Sequence, residues 1–212
     1  MKSLSPLLLL AVFFSLSPLS AQTSYSGDRI TGMTVSGGGS YSFSHDSFAR
    51  MASDGRSGTV ISYNPIDLPQ TVYLGSSVKV QYSYMADGSK IAALKPSGEG
   101  LLYRGPFTYR VSTDSSGGTP VLVTTLESVP SAGGRLTPGG ALHYVTAQED
   151  QWPDFSVPYT DFGARQYNVN LRRWMVPDPM GEAYYDISPY VYCAGDPVKY
   201  LDPEGRSDTI FS

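Results

Sequence analysis

The sequence predicts an all-β protein built mainly from short antiparallel hairpins. Turn formers are dense, with 22 Gly and 16 Pro in 212 residues, which leaves little room for long helices. Tyr, at 16, outnumbers Phe (8) and Trp (2) together, and tyrosine suits a pleated, half-buried surface. Val78, Val80, Tyr82 and Tyr84 alternate with Lys79, Gln81 and Ser83, the period-two pattern of a strand with one buried face. The hydrophobic fraction of 41% is enough for a core and argues against wholesale disorder.

The chain opens with a short positive start, Met1-Lys2-Ser3, an unbroken apolar run from Leu7 to Phe14, and small residues up to Ala21. This is the three-part layout of a secretory signal peptide spanning residues 1–21. The run is far shorter than the roughly 20 residues needed to cross a bilayer, so the chain is read as exported and not membrane-spanning. Its destination is then the periplasm, the outer surface or the medium. There Cys193 has no partner within the chain, and its apolar neighbours Val191, Tyr192 and Ala194 mark a buried, inert thiol.

Residues 22–57 form a Gly/Ser-rich lead-in, in which Gln22 to Ser40 reads as a flexible segment or a weak edge strand. Residues 58–146 form a β region. Strands are predicted at Thr59–Tyr63, Thr71–Leu74, Val78–Tyr84, Phe107–Val111, Val121–Val129 and Ala141–Thr146. Asp54-Gly55 and Asp87-Gly88 carry a pair suited to the positive φ angles of tight hairpins, and Gly75-Ser76-Ser77 a turn. In the C-terminal third, Tyr159–Tyr167 reads as one strand and Leu171–Val176 as its partner, turning at Asn168-Val169-Asn170. Ser188-Pro189 reads as the start of one short helix over Tyr190–Ala194, closed by Gly195.

Several motifs keep a fixed order: Tyr159-Thr160-Asp161-Phe162-Gly163-Ala164-Arg165-Gln166-Tyr167, Arg173-Trp174-Met175-Val176-Pro177-Asp178-Pro179, Ser188-Pro189-Tyr190-Val191-Tyr192-Cys193, Asp196-Pro197 and Asp202-Pro203-Glu204-Gly205. Over residues 147–206 they resemble the RHS repeat-associated core of bacterial YD-repeat proteins, in the form common in Bacteroidetes. Upstream, Tyr82 to Ile91 resembles one YD repeat, and Asp54-Gly55-Arg56 through Leu68-Pro69 the stretch that precedes it. The resemblance implies hairpins of YD-repeat type, which in the family wind into a hollow shell with the core at its C-terminal end and a variable, often toxic, domain beyond. Some members cut themselves after the last Asp-Pro-x-Gly with paired aspartates implicated. Carried over residue by residue, that pair is Asp178 and Asp202.

The chain departs from the family pattern in four places. Thr146 runs straight into Ala147-Gln148-Glu149, Gly195 stands before Asp196-Pro197, Arg206 follows the last motif, and only the tail 207–212 remains after it. About three or more stacked units are needed for a stable array, so two or three degenerate repeats imply a shortened core with open sheet edges. The leading expectation is a non-enzymatic, exported structural or interaction module. Its partners would be other YD-repeat or RHS chains, or cell-surface components, met through those edges.

Two alternatives stand beside it. Self-cleavage at Asp178 and Asp202 would be a single-turnover activity needing two buried, adjacent carboxylates, whereas Asp-Pro-x-Gly is in the first place a turn signature. Carbohydrate or cell-surface binding would use Tyr82, Tyr84, Tyr103, Phe107, Tyr109 and Tyr144, which would otherwise pack across strands. Tyr184, Tyr185, Tyr190, Tyr192 and Trp174 are expected to pack the short helix onto the hairpin. Lys plus Arg at 15 against Asp plus Glu at 19 gives a net charge of −4, which argues against nucleic acid. With two His and one Cys no zinc site is expected, the acidic residues show no calcium-loop spacing, and no cofactor is implied. No Gly-x-Ser-x-Gly elbow accompanies His45 or His143, and Asp161-Phe162-Gly163 lacks the other kinase motifs.

Overall fold

The computed structural model describes residues 21–131, 134–140, 142–143, 150–151, 159–202, 205–206 and 209–210. The predicted signal peptide, apart from Ala21, and Tyr144 lie outside the described residues. The fold is all-β. Thirteen antiparallel strands form one sheet and follow each other in chain order. They are β1 (Ala21–Ser26), β2 (Arg29–Val35), β3 (Ser40–His45), β4 (Met51–Asp54), β5 (Thr59–Tyr63), β6 (Pro69–Leu74) and β7 (Ser77–Tyr84), then β8 (Lys90–Leu94), β9 (Gly100–Arg104), β10 (Phe107–Asp114), β11 (Val121–Ser131), β12 (Gly134–Leu136) and β13 (Leu142–His143). A second sheet holds β14 (Asp150–Gln151), β15 (Tyr159–Asp161), β16 (Gln166–Asn168) and β17 (Arg173–Trp174), and β18 (Tyr200–Leu201) pairs with β19 (Thr209–Ile210).

The predicted strand Thr59–Tyr63 is β5, and those at 71–74, 78–84, 107–111 and 121–129 fall within β6, β7, β10 and β11. Of the strand expected at Ala141–Thr146, Leu142–His143 forms β13 and the rest lies outside the described residues. The lead-in is not a flexible segment. It forms β1, the edge strand of the sheet, and β2, whose Ile30 and Met33 are buried in the core.

One five-residue turn recurs along the sheet, at Asp46–Arg50, Asn64–Leu68, Met85–Ser89 and Lys95–Glu99. In each, the first N–H donates to the fifth carbonyl at 2.8–2.9 Å, and the fourth N–H donates back to the first carbonyl. The fourth residue takes a positive φ: Ala49 (63°), Asp67 (63°), Gly88 (87°) and Gly98 (87°). A left-handed alanine or aspartate costs about 1–2 kcal/mol. The first residue offsets that locally in the two turns without glycine. Asp46 Oδ1 accepts the N–H groups of Phe48 (2.9 Å) and Arg50 (3.0 Å), and Asn64 Oδ1 those of Ile66 (3.0 Å) and Leu68 (2.9 Å). Tyrosines stitch successive hairpins together. Tyr63 donates to the Met51 carbonyl and Tyr84 to the Pro69 carbonyl, each at 2.8 Å.

Asp87-Gly88 makes the positive-φ turn expected of it, but Asp54-Gly55 does not. The left-handed residue of that loop is Gly58 (φ 72°), and Gly55 is needed because a Cβ there would lie 2.3 Å from the Ser42 carbonyl oxygen. Asp54, buried, caps the loop by accepting Arg56 N–H at 2.9 Å.

The C-terminal unit packs on one face of the large sheet. Tyr159 and Met175 join Ile30, Met33, Phe43, Met51, Ile61, Val72, Val80, Tyr82 and Ala93 in a single core. Polar contacts reinforce the join. Met51 N–H donates to the Met175 carbonyl (2.8 Å), Asn168 Nδ2 to Asp54 Oδ2 (2.8 Å), and Lys90 is ion-paired with buried Asp161.

Two expectations for this unit need correction. Tyr159–Tyr167 is a hairpin and not one strand, because Phe162 N–H closes on the Arg165 carbonyl (3.0 Å) with Gly163 at φ 92°. The helix over Tyr190–Ala194 is replaced by 3-10 turns at Gly181–Ala183 and Cys193–Gly195. The Tyr190 carbonyl accepts Trp174 N–H (2.9 Å) in place of a helical partner, and Val191 N–H closes a single turn on the Ser188 carbonyl (3.0 Å).

Gly55→Ala forces backbone apart and is expected to lower the unfolding free energy by about 1–3 kcal/mol. Gly75→Ala, at φ 58° with no atom within 4 Å of its Cβ, is expected to cost only the left-handed strain of about 1–2 kcal/mol. Urea denaturation of the two variants checks the order.

Candidate functional site

The first Asp-Pro-x-Gly motif folds as a turn, and the aspartate of each motif divides its oxygens between two tasks. Asp178 Oδ1 accepts Met180 N–H (2.7 Å), and Gly181 N–H returns to the Asp178 carbonyl (3.0 Å). Asp202 Oδ1 accepts Arg206 N–H (2.8 Å). The remaining oxygens, Asp178 Oδ2 and Asp202 Oδ2, each lie 2.8 Å from Nη2 of Arg165. The two predicted site residues are thus brought together, but on a guanidinium.

Burial sets the electrostatics of this triad. The side chains of Asp202 and Arg165 are 0% and 1% exposed, and that of Asp178 is 17% exposed. One cation faces two carboxylates in the interior, where an unpaired charge of either sign is costly. Arg165 comes from the turn between β15 and β16. Its Cζ lies 4.2 Å from the Trp174 ring centroid, a cation–π contact strengthened by exclusion of water. Nε donates to the Gly205 carbonyl at 2.6 Å. Gly205 itself is required, since φ is 67° and a Cβ would lie 3.1 Å from the Arg165 nitrogen.

Around the Trp174 ring stands an aromatic cluster. Trp174 meets Phe162 (5.1 Å), Tyr192 (5.5 Å) and Tyr167 (5.6 Å) edge to face, the geometry ring quadrupoles favour. Burial pushes the Tyr192 hydroxyl well up from the ordinary tyrosine range. Cys193 is buried beside it. Tyr190 and Trp174 pack as expected, whereas Tyr184 and Tyr185 do not. They are exposed in the loop after Asp178, Tyr185 at 86%. Beside Asp178 opens a small pocket lined by Gly181, Tyr184, Ile187, Ser188, Pro189 and Val191, with room for about one water molecule.

Of the tyrosines considered for a carbohydrate surface, Tyr82 is buried in the core, and Tyr84 and Tyr103 pack against it. Phe107 is exposed. Arg165 is the site residue that sequence reasoning passed over. The available signal was that Arg165 is the one cation of the Tyr159–Tyr167 motif, with two Asp-Pro motifs downstream to receive it.

No protein-family model matches the chain, and no curated protein matches it in sequence. Solved structures of similar fold do. The crystal structure of TcdB2-TccC3 aligns at a TM-score of 0.50 and 15% identity, over 87% of this chain and 13% of that one. A chain of the Photorhabdus luminescens Tc holotoxin pore, with an aspartate of TccC3 replaced by alanine, aligns at 0.50 and 15%, over 91% of this chain and 13% of that one. This chain therefore spans about 13% of the length of the solved chains it resembles, and what it shares with them is the fold.

Removing Arg165 strands two carboxylates, one fully buried. Arg165→Leu is expected to cost about 3–5 kcal/mol, and Asp202→Asn more than the partly exposed Asp178→Asn, within about 1–3 kcal/mol. Equilibrium unfolding of the single variants and the Asp178/Asp202 double variant measures both the order and the coupling.

Proposed function

We propose that the chain is an exported, non-enzymatic β module of the YD-repeat and RHS type, working as a scaffold that joins other chains. The observation that carries this reading is the position of Arg165. A hydrolytic aspartate pair shares a proton and activates water between its carboxyls. Here a guanidinium joins the two inward oxygens, and the other oxygens are committed to turn amides. The arrangement fastens the 202–206 segment to the core. The acidic balance and the apolar leader support export and a protein or surface partner. By their names, the solved chains of similar fold belong to a multi-chain toxin, which supports a role in assembly. Among the described residues the large sheet ends at β1 and β13, and those strands are the joining edges. Among those residues no helix is long and apolar enough to cross a membrane.

A second reading, self-cleavage, is favoured by one contact set. The Gly205–Arg206 peptide has its carbonyl bound by Arg165 Nε (2.6 Å) and its N–H bound by Asp202 Oδ1 (2.8 Å), so one bond is polarised from both sides. Intact-mass analysis at pH 7 separates the two. The scaffold reading expects residues 22–212 to stay whole, like the Asp178→Asn and Asp202→Asn variants. A fragment ending at Gly205 or close to it, formed at neutral pH and lost in either variant, would replace it with the second. Asp-Pro bonds break in acid without catalysis, so neutral pH is essential.

A further inference from the structure

His45 ends β3, opposite Met51 of β4, at the seam between the large sheet and the C-terminal unit, and no catalytic role accounts for the environment of its side chain. Its ring stands edge-on to Tyr190, centroids 6.0 Å apart at 74°. The guanidinium of Arg173 lies over the same Tyr190 ring, 4.8 Å from its centroid. Tyr190 donates its hydroxyl to the Ala49 carbonyl, one of the ties between the two units. His45 Nε2 and Arg173 Nε are both buried, and neither has a hydrogen-bond partner in the structure.

We propose that His45 is a proton-operated latch: neutral, it lets Tyr190 and Arg173 seat against β3, and protonated, it drives the C-terminal unit off the sheet. The charges facing it come from every neighbouring element. Arg173 on β17 and Arg29 on β2 oppose a positive imidazole. Asp46, in the following turn, favours one, but its oxygens are already committed. Oδ2 takes Arg50 Nε (2.7 Å) and Nη2 (2.6 Å), and Oδ1 takes two turn amides. Asp28 and Tyr25 act on Arg173, with Arg173 Nη2 donating to the Asp28 carbonyl (2.6 Å). An imidazolium at this seam would therefore meet two guanidiniums, while the carboxylate that favours it, Asp46, has both oxygens already bonded.

Burial, with Arg173 and Arg29 beside it, holds the imidazole at about 4 against an ordinary 6.5. The undocked state then binds the proton more tightly than the docked one. Docking is fully favoured above pH 6.5 and weakens as pH falls from 6.5 toward 4. Asp46, whose carboxyl is lowered by Arg50, responds only below the ordinary carboxylate range, so the two windows separate.

The test follows amide hydrogen exchange in the full chain, corrected for intrinsic rates, at Met51, whose N–H donates to the Met175 carbonyl across the seam. Between pH 7.5 and 5 wild-type protection should fall about thirtyfold, with no comparable fall in His45→Gln. An equal fall in His45→Gln overturns the proposal. Should that variant not fold, proton NMR of the wild-type imidazole decides, with the His143 resonance assigned from His143→Gln. A His45 resonance still neutral at pH 5.5 supports the latch, and one titrating at 6.5 refutes it.

Discussion

A guanidinium sealed from water must find acceptors on all sides, and the C-terminal unit is arranged around that requirement. Arg165 draws on two turn aspartates, the Gly205 carbonyl and the face of Trp174. The partners come in pairs from two separate stretches of chain, Trp174 with Asp178 and Asp202 with Gly205. Meeting the needs of one side chain therefore fixes Trp174 and the Asp178 turn together with Asp202 and Gly205. The interior cost of ions is several kcal/mol each, so such a cluster is better understood as enforcing one arrangement than as adding stability.

The large sheet rests on a different economy. Each strand pairs with its neighbours in the chain, and the recurring five-residue turn reverses the direction at four of the connections. The tyrosine hydroxyls of Tyr63 and Tyr84 reach back to the preceding hairpin, so the units are tied by side chains as well as by the ladder. Arg50 extends the same logic sideways, bonding Asp46 in its own turn and Asp67 in the next (2.7 Å) while lying over the Tyr63 ring. Such a sheet buries little on its own. The core closes because Tyr159 and Met175 lie across it.

Local pattern made some of this readable. The strand at 59–63 and the alternation of 78–84 follow from period-two burial, and Asp87-Gly88 from turn chemistry. Where a second constraint intervened, the pattern failed. In β2 the buried residues Ile30 and Met33 are three apart, and β1 opposite carries a register shift between Ser24 and Tyr25, so no alternation survives. Gly32 reads as a breaker but serves a close approach, with Ser24 Oγ 2.7 Å from where its Cβ would lie. The Ser188-Pro189 helix start obeyed local rules and lost to the bond between Trp174 and Tyr190. The aspartate pair was legible as two matching motifs. Arg165 was not, because the residue that needs it most, Asp202, is 37 positions away and nothing local marks the meeting.

Chain order in the sheet also dictates a schedule. Adjacent hairpins close on the microsecond scale and can zip up one after another as the polypeptide emerges. The ties between Asp54 and Asn168, Ala49 and Tyr190, and Asp28 and Arg173 span separations of 114 to 145 residues and must wait for the end. Until then one broad greasy surface stands uncovered, so the period between the first zipped strands and the arrival of the final segment is when this molecule is most exposed to clumping and to escorts that prevent it.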